Sequence, residues 1–136
     1  QDILPDLVYH YMEKYKSPMI ESSSNLIEIA RKYEIDPLLL VAIAQCESNL
    51  GKKMPPDCHN PFGWGIHSKG TLCFKTWEEG YEAISKGLRK NYFDKGRSKP
   101  EDIMEMYTPA SLEKGGSWAK CVTKFMVQLN DLKNAM

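Results

Sequence analysis

The hydrophobic pattern of this chain is most unusual over residues 36–51. Leu38, Leu39, Leu40, Val41, Ala42, Ile43 and Ala44 follow one another without a polar residue. A surface helix carries only an apolar stripe, so this run predicts a helix buried on all sides at the centre of a domain. Asp36 before Pro37 is a helix-start signal, and Gly51 suits a left-handed cap at the other end. The run falls short of the ~20 apolar residues that a membrane span takes.

The flanking segments keep a helical period of apolar positions. Leu7, Val8, Tyr11, Met12 and Tyr15 predict a helix over 6–16, broken at Ser17-Pro18. Leu26, Ile29, Ala30 and Tyr33 predict another over 25–33, with Asn25 and Glu28 as a capping box. Only Glu34 and Ile35 separate it from the central helix, so the two are expected to pack as neighbours. Thr76 and Glu79 form a second capping box, opening a helix that carries Trp77, Tyr81, Ile84, Leu88 and Tyr92 and ends by Gly96. Ser98, Pro100 and Glu101 open a short helix to about residue 106, stopped at Tyr107-Thr108-Pro109. Ser117 is the expected N-cap of the last helix, with Trp118, Val122, Phe125, Leu129 and Leu132 on one face. Residues 52–70 hold three prolines and three glycines. They predict a loop, then a weak hairpin pairing 65–68 with 71–75. The expectation is a mainly α fold in a single domain over 1–136, with a buried central helix and a small loop/β-hairpin lobe inserted after it.

Composition narrows the function classes. The 136 residues carry 18 basic and 18 acidic side chains, a formal net charge of zero. That removes the electrostatic case for nucleic acid or an anionic membrane as partner. No basic segment followed by an apolar stretch begins the chain, so any export signal or anchor is expected outside these residues. Cys46, Cys58, Cys73 and Cys121 contain no CxxC spacing, and of His10, His59 and His67 only His59 adjoins a cysteine. Neither a metal nor an organic cofactor is expected. An even cysteine count fits two disulfides and an oxidising compartment. Three connectivities are possible; Cys58–Cys73 around the hairpin with Cys46–Cys121 between two helices is favoured. Four reduced, packed thiols in a cytosolic protein are the alternative.

Glu47 then needs a reason. It continues the face of Leu40, Ile43 and Ala44, near the negative end of the helix dipole. Both effects disfavour its charge and raise its pKa. A carboxyl that keeps its proton near neutral pH suits general-acid chemistry at a glycosidic oxygen. The alternative is a glutamate that reaches solvent as the helix surfaces.

ESNLG from Glu47, NPFGWG from Asn60 and YTP from Tyr107 stand in an order and spacing that resemble the lysozyme-like superfamily of cell-wall glycan cleavers. The chain is most similar to bacterial cell-wall glucosaminidase domains, the mannosyl-glycoprotein endo-β-N-acetylglucosaminidase-like class, and to their lytic transglycosylase relatives. The resemblance covers about residues 35–129. It implies a lysozyme-like fold and cleavage of β-1,4-glycosidic bonds in peptidoglycan glycan strands. The reaction would be hydrolysis, of glucosaminidase or muramidase type, or lytic transglycosylation. It makes Glu47 the general acid, with Ser48 beside it at the cleft floor. Asn60, Phe62 and Gly63 would line the sugar groove, and Tyr107 would face Glu47 across it. The residues themselves add that Trp64 and Phe62 suit stacking on sugar rings. A core anchor for the hairpin is the alternative for Trp64, and helix-end packing for Tyr107. Trp77 and Trp118 lie on clean helical stripes and read as core. The glycine-leucine-methionine-glutamine sequence of the transglycosylases is absent; FGWG stands there instead.

Many glycosidases use a second carboxylate. Asp57, Glu78 and Glu79 are the candidates, and Glu78 and Glu79 are better explained by the helix start they occupy. A single-glutamate mechanism therefore stays open, with the substrate's own acetamido or 6-hydroxyl group trapping the oxocarbenium-like centre. The expected setting is extracellular or at the cell surface. The domain is expected to act as a monomer within a larger cell-surface, phage or secretion-machine protein. A non-catalytic glycan-binding module and a helical interaction domain are the rival readings.

Overall fold

The computed structural model describes residues 2–55, 57–63, 73–107 (backbone alone over 104–107) and 116–136. Its helices are α1 (Leu4–Lys14), α2 (Ser23–Lys32), α3 (Pro37–Ser48), α4 (Trp77–Asn91), α5 (Pro100–Tyr107) and α6 (Ser117–Ala135). Short 3-10 turns lie at Ile20–Ser22 and Phe93–Lys95. Among the described residues there is no strand, and no helix is long and apolar enough to cross a membrane. The expected hairpin falls largely on 64–72, outside the described residues; 73–75 are not in a strand.

The all-apolar run is the centre of the molecule. The Asp36 carboxylate accepts from the Leu38 N–H at 2.9 Å, and Pro37 occupies the first turn. From Leu38 to Ala44 no residue is more than 4% exposed. The helix packs against α6 and α2, while α2 also meets α1 and α4, and α5 lies on α6. Gln45 is buried too, and its Nε2 donates to the Tyr11 hydroxyl at 3.1 Å. That hydroxyl donates in turn to Gln128 at 3.2 Å, tying α1, α3 and α6 together. Burial pushes the Tyr11 pKa up to about 12.

Several helix ends differ from the sequence expectation. The left-handed cap of α3 is Asn49 (φ 52°), with Leu50 (φ 60°) and Gly51 (φ 82°) continuing the same hand. Asparagine tolerates this region better than most residues, so the helix ends two residues before the expected glycine. α2 starts at Ser23, and Asn25 makes no capping box; its amide donates to Glu78 Oε2 at 3.1 Å. Ser22 at that junction is buried and paired with the Tyr81 hydroxyl at 2.7 Å. α4 does open with its box: Thr76 Oγ1 accepts from the Glu79 N–H at 3.2 Å, and Glu79 Oε2 accepts from the Lys75 N–H at 3.0 Å. It stops at Asn91, short of Gly96, which closes the following 3-10 turn. The N-cap of α6 is Gly116 rather than Ser117. On α6, Trp118, Val122 and Leu129 are buried, but Leu132 is 42% exposed, so the apolar stripe outruns the core.

Both favoured disulfides are present. Cys46–Cys121 joins α3 to α6, with Cα atoms 6.0 Å apart. Cys58–Cys73 joins the loop after α3 to the segment before α4. That loop is held on three sides. The Phe74 N–H donates to the Cys58 carbonyl at 2.7 Å. Ser48 Oγ donates to the Pro61 carbonyl at 2.7 Å. Gly80 of α4 lies so close that a Cβ there would stand 2.6 Å from the His59 carbonyl oxygen.

Candidate functional site

Glu47 stands in the last turn of α3, half-buried, with Cys46 before it and the buried Ser48 after it. Its Oε1 accepts a hydrogen bond at 2.6 Å from the indole Nε1–H of Trp118, in the first turn of α6. On its other side lies Gly63 (φ 64°). A Cβ at Gly63 would come within 2.6 Å of Glu47 Oε2, and the three nearest atoms all belong to Glu47. Only glycine lets the loop approach this closely in that backbone conformation. The carboxyl is thus held between an indole from one end of the chain and a loop from its middle.

The electrostatics follow from that enclosure. Burial raises the Glu47 pKa above the ordinary carboxylate value, and the Trp118 N–H offsets part of the rise. Desolvation disfavours the charged form, whereas a hydrogen bond to the carboxylate favours it. Among the described residues no neighbouring charge shifts it. The result is a carboxyl that keeps its proton to higher pH than a free glutamate.

The other expected site residues have varied placements. Ser48 is 3% exposed. Its hydroxyl donates to the Pro61 carbonyl and accepts from the Gly51 N–H at 2.8 Å. It therefore fastens the loop to the helix end. Asn60 is buried in the same loop, and Gly63 is half-exposed beside the carboxyl. Phe62 is the correction: it is 0% exposed and packs edge-to-face on Tyr81, ring centroids 5.9 Å apart, so it offers no face to a sugar. An apolar ring in a tight loop gains more by entering the core than by facing water. Trp64 and the Tyr107 side chain lie outside the described residues.

Of the three carboxylates considered as partners, Glu78 accepts from Asn25 and Glu79 caps α4. Asp57 is exposed at a left-handed turn position (φ 57°). All four cysteines are in bridges, and among the described residues no three His, Cys, Asp or Glu side chains gather as a metal ion would need. His59 turns its Nδ1–H to the Phe74 carbonyl at 3.0 Å and its ring edge to Trp77.

Trp118 is the site residue that the sequence reading missed. It is core, as its stripe predicts, at 7% exposed, but its one polar atom meets Glu47. A signal was present. Cys46 adjoins Glu47, and Cys121 follows Trp118 by three residues, on the same face of its helix. Pairing those two cysteines brings the indole within a turn of the glutamate.

No protein-family model matches the chain, and no curated protein matches it. The chemistry of the site therefore rests on its geometry and on the motifs of its own sequence.

Proposed function

We propose that this chain is a lysozyme-like glycosidase that cleaves β-1,4 linkages in peptidoglycan glycan strands, with Glu47 as general acid. The observation that carries the reading is the Glu47 carboxyl, half-buried at the end of an all-apolar helix, between an indole N–H and a glycine, with its pKa raised by burial. A proton-bearing carboxyl is what departure of a poor sugar leaving group requires. The sequence motifs around Glu47, Asn60 and Tyr107 support the same reaction class. The two disulfides support an extracellular or cell-surface setting.

The mechanism uses one carboxyl. Glu78 and Glu79 have structural partners and Asp57 is exposed, so we assign none of them to catalysis. Glu47 protonates the glycosidic oxygen as the C–O bond breaks. The oxocarbenium-like centre is trapped by the substrate's own acetamido or 6-hydroxyl group. An acetamido adduct is then opened by water, which gives its proton to the Glu47 carboxylate; a 6-hydroxyl gives its own proton to that carboxylate as the anhydro ring closes.

Glu47→Gln tests the reading. Wild type is expected to clear a peptidoglycan suspension and the variant to lose the activity by at least ~100-fold, the usual size of a general acid's contribution. Equal clearing by both proteins rejects Glu47 as the acid. Mass spectrometry of the products distinguishes a reducing-end sugar from an anhydro-sugar, and identifies which linkage was cut.

A further inference from the structure

We propose that Trp118 is a positioning residue: its indole N–H occupies Glu47 Oε1, so the proton to be transferred sits on Oε2, the oxygen beside Gly63. The part in catalysis rests on the glycosidase reading; the location of the proton does not.

The argument starts from donor chemistry. An indole N–H can only donate. In a neutral carboxylic acid the carbonyl oxygen is the better acceptor and the other oxygen carries the hydrogen. With Nε1 at 2.6 Å from Oε1, Oε1 is the carbonyl oxygen and Oε2 the hydroxyl. Oε2 makes no hydrogen bond to the described residues. It faces Gly63, whose lack of a side chain lets the loop backbone come this close to it.

The same bond acts on the transition state. As the Oε2–H bond breaks and the proton passes to the glycosidic oxygen, Glu47 gains negative charge. The electron pair of the cleaved C–O bond stays on the departing hydroxyl. A hydrogen bond to a charged oxygen is roughly twice as strong as to a neutral one. The Trp118 contact thus strengthens during reaction, which favours turnover rather than substrate binding.

The disulfide fixes this geometry. Cys46 is the residue before Glu47, and Cys121 lies about one turn after Trp118 on α6. The bridge clamps the two helices beside the acid. Among the described residues nothing charged competes: Glu47 is the sole ionisable side chain of α3, Lys120 and Lys124 on α6 are exposed, Asp57 of the loop is exposed, and His59 is turned to Phe74.

The decisive experiment replaces Trp118 with benzothienylalanine, which keeps the ring shape and substitutes sulfur for the N–H; Trp118→Phe is the companion variant. The Glu47 carboxyl is titrated by carbon-13 NMR, assigned by the signal lost in Glu47→Gln. Kinetics are followed on peptidoglycan across pH. Loss of the donor is expected to raise the Glu47 pKa further and to move the alkaline limb of the activity profile to higher pH. It is also expected to lower kcat roughly 10- to 100-fold, the size of effect that misplacing a reacting group produces, with KM little changed. An unchanged titration in the folded benzothienylalanine variant overturns the proposal. So does a loss of activity equal at every pH, which would make Trp118 a packing residue. If wild type cleaves no peptidoglycan, the glycosidase reading fails, while the titration still decides whether the Trp118 N–H acts on the Glu47 carboxyl.

Discussion

At the scale of the residue, the Glu47 carboxyl couples protonation to stability. Burial holds its folded-state pKa above the ordinary value of 4.5, so protonation favours the folded state. That contribution is complete below the unfolded value and is lost as pH rises through the folded one. Glu47→Gln keeps the shape and an acceptor for the Trp118 N–H but removes the ionisation. The variant is expected to melt at a higher temperature than wild type at pH 8, and the two melting curves should converge as pH falls toward 4. A pH-independent difference would trace the effect to packing instead. Glu47 was legible in the sequence because a carboxylate on an apolar helical face is anomalous by itself. Trp118 was not, because its one polar atom is invisible in a stripe of core residues. The role of Phe62 as a sugar platform failed for a related reason: an aromatic in a glycine-rich loop can turn inward or outward, and here it turns inward onto Tyr81.

At the scale of the element, the site depends on a loop docked against the end of α3. Ser48, Cys58 and Gly80 each fix one part of it, and Gly63 allows the closest contact. Gly63→Ala adds a side chain at φ 64° and 2.6 Å from Glu47 Oε2. The left-handed backbone alone costs about 1–2 kcal/mol for an L-residue. Displacing the carboxyl adds to that. A drop in unfolding free energy of about 1–3 kcal/mol is expected from urea titration, and, on the proposed function, a larger proportional loss of peptidoglycan cleavage. A variant as active and as stable as wild type would mean that the loop does not rest on the acid. The helices themselves were readable from periodicity. Their ends were less so: Asn49 displaced Gly51 as cap, Gly116 displaced Ser117, and Asn25 left its box for Glu78. The Asn25 partner lies 53 residues away, which local sequence does not reveal.

At the scale of the whole molecule, the 75-residue span closed by Cys46–Cys121 joins the central helix to the last one. Closing a loop of that length removes about 4.5 kcal/mol of unfolded-state entropy in the chain-entropy model. Replacing both cysteines by serine is expected to lower stability by about 2–4 kcal/mol in a urea titration under non-reducing conditions. On the proposed function cleavage falls with it, because Trp118 and Glu47 lie beside that bridge. Stability equal to wild type would show that packing of α3 on α6 suffices alone. The sequence by itself determined the mainly helical class, the buried central helix, its Asp36-Pro37 start and the suspicion attached to Glu47. These follow from patterns within a few turns of chain, where burial and periodicity are local properties. It also favoured the correct cysteine pairing among three. What only the tertiary structure decided is which groups surround the carboxyl. The Trp118 indole comes from 71 residues away, and Gly63 presses on Oε2 through a loop with no period to read. Such contacts depend on how helices pack across the core, and a hydrogen bond between distant residues leaves no trace in the residues between them.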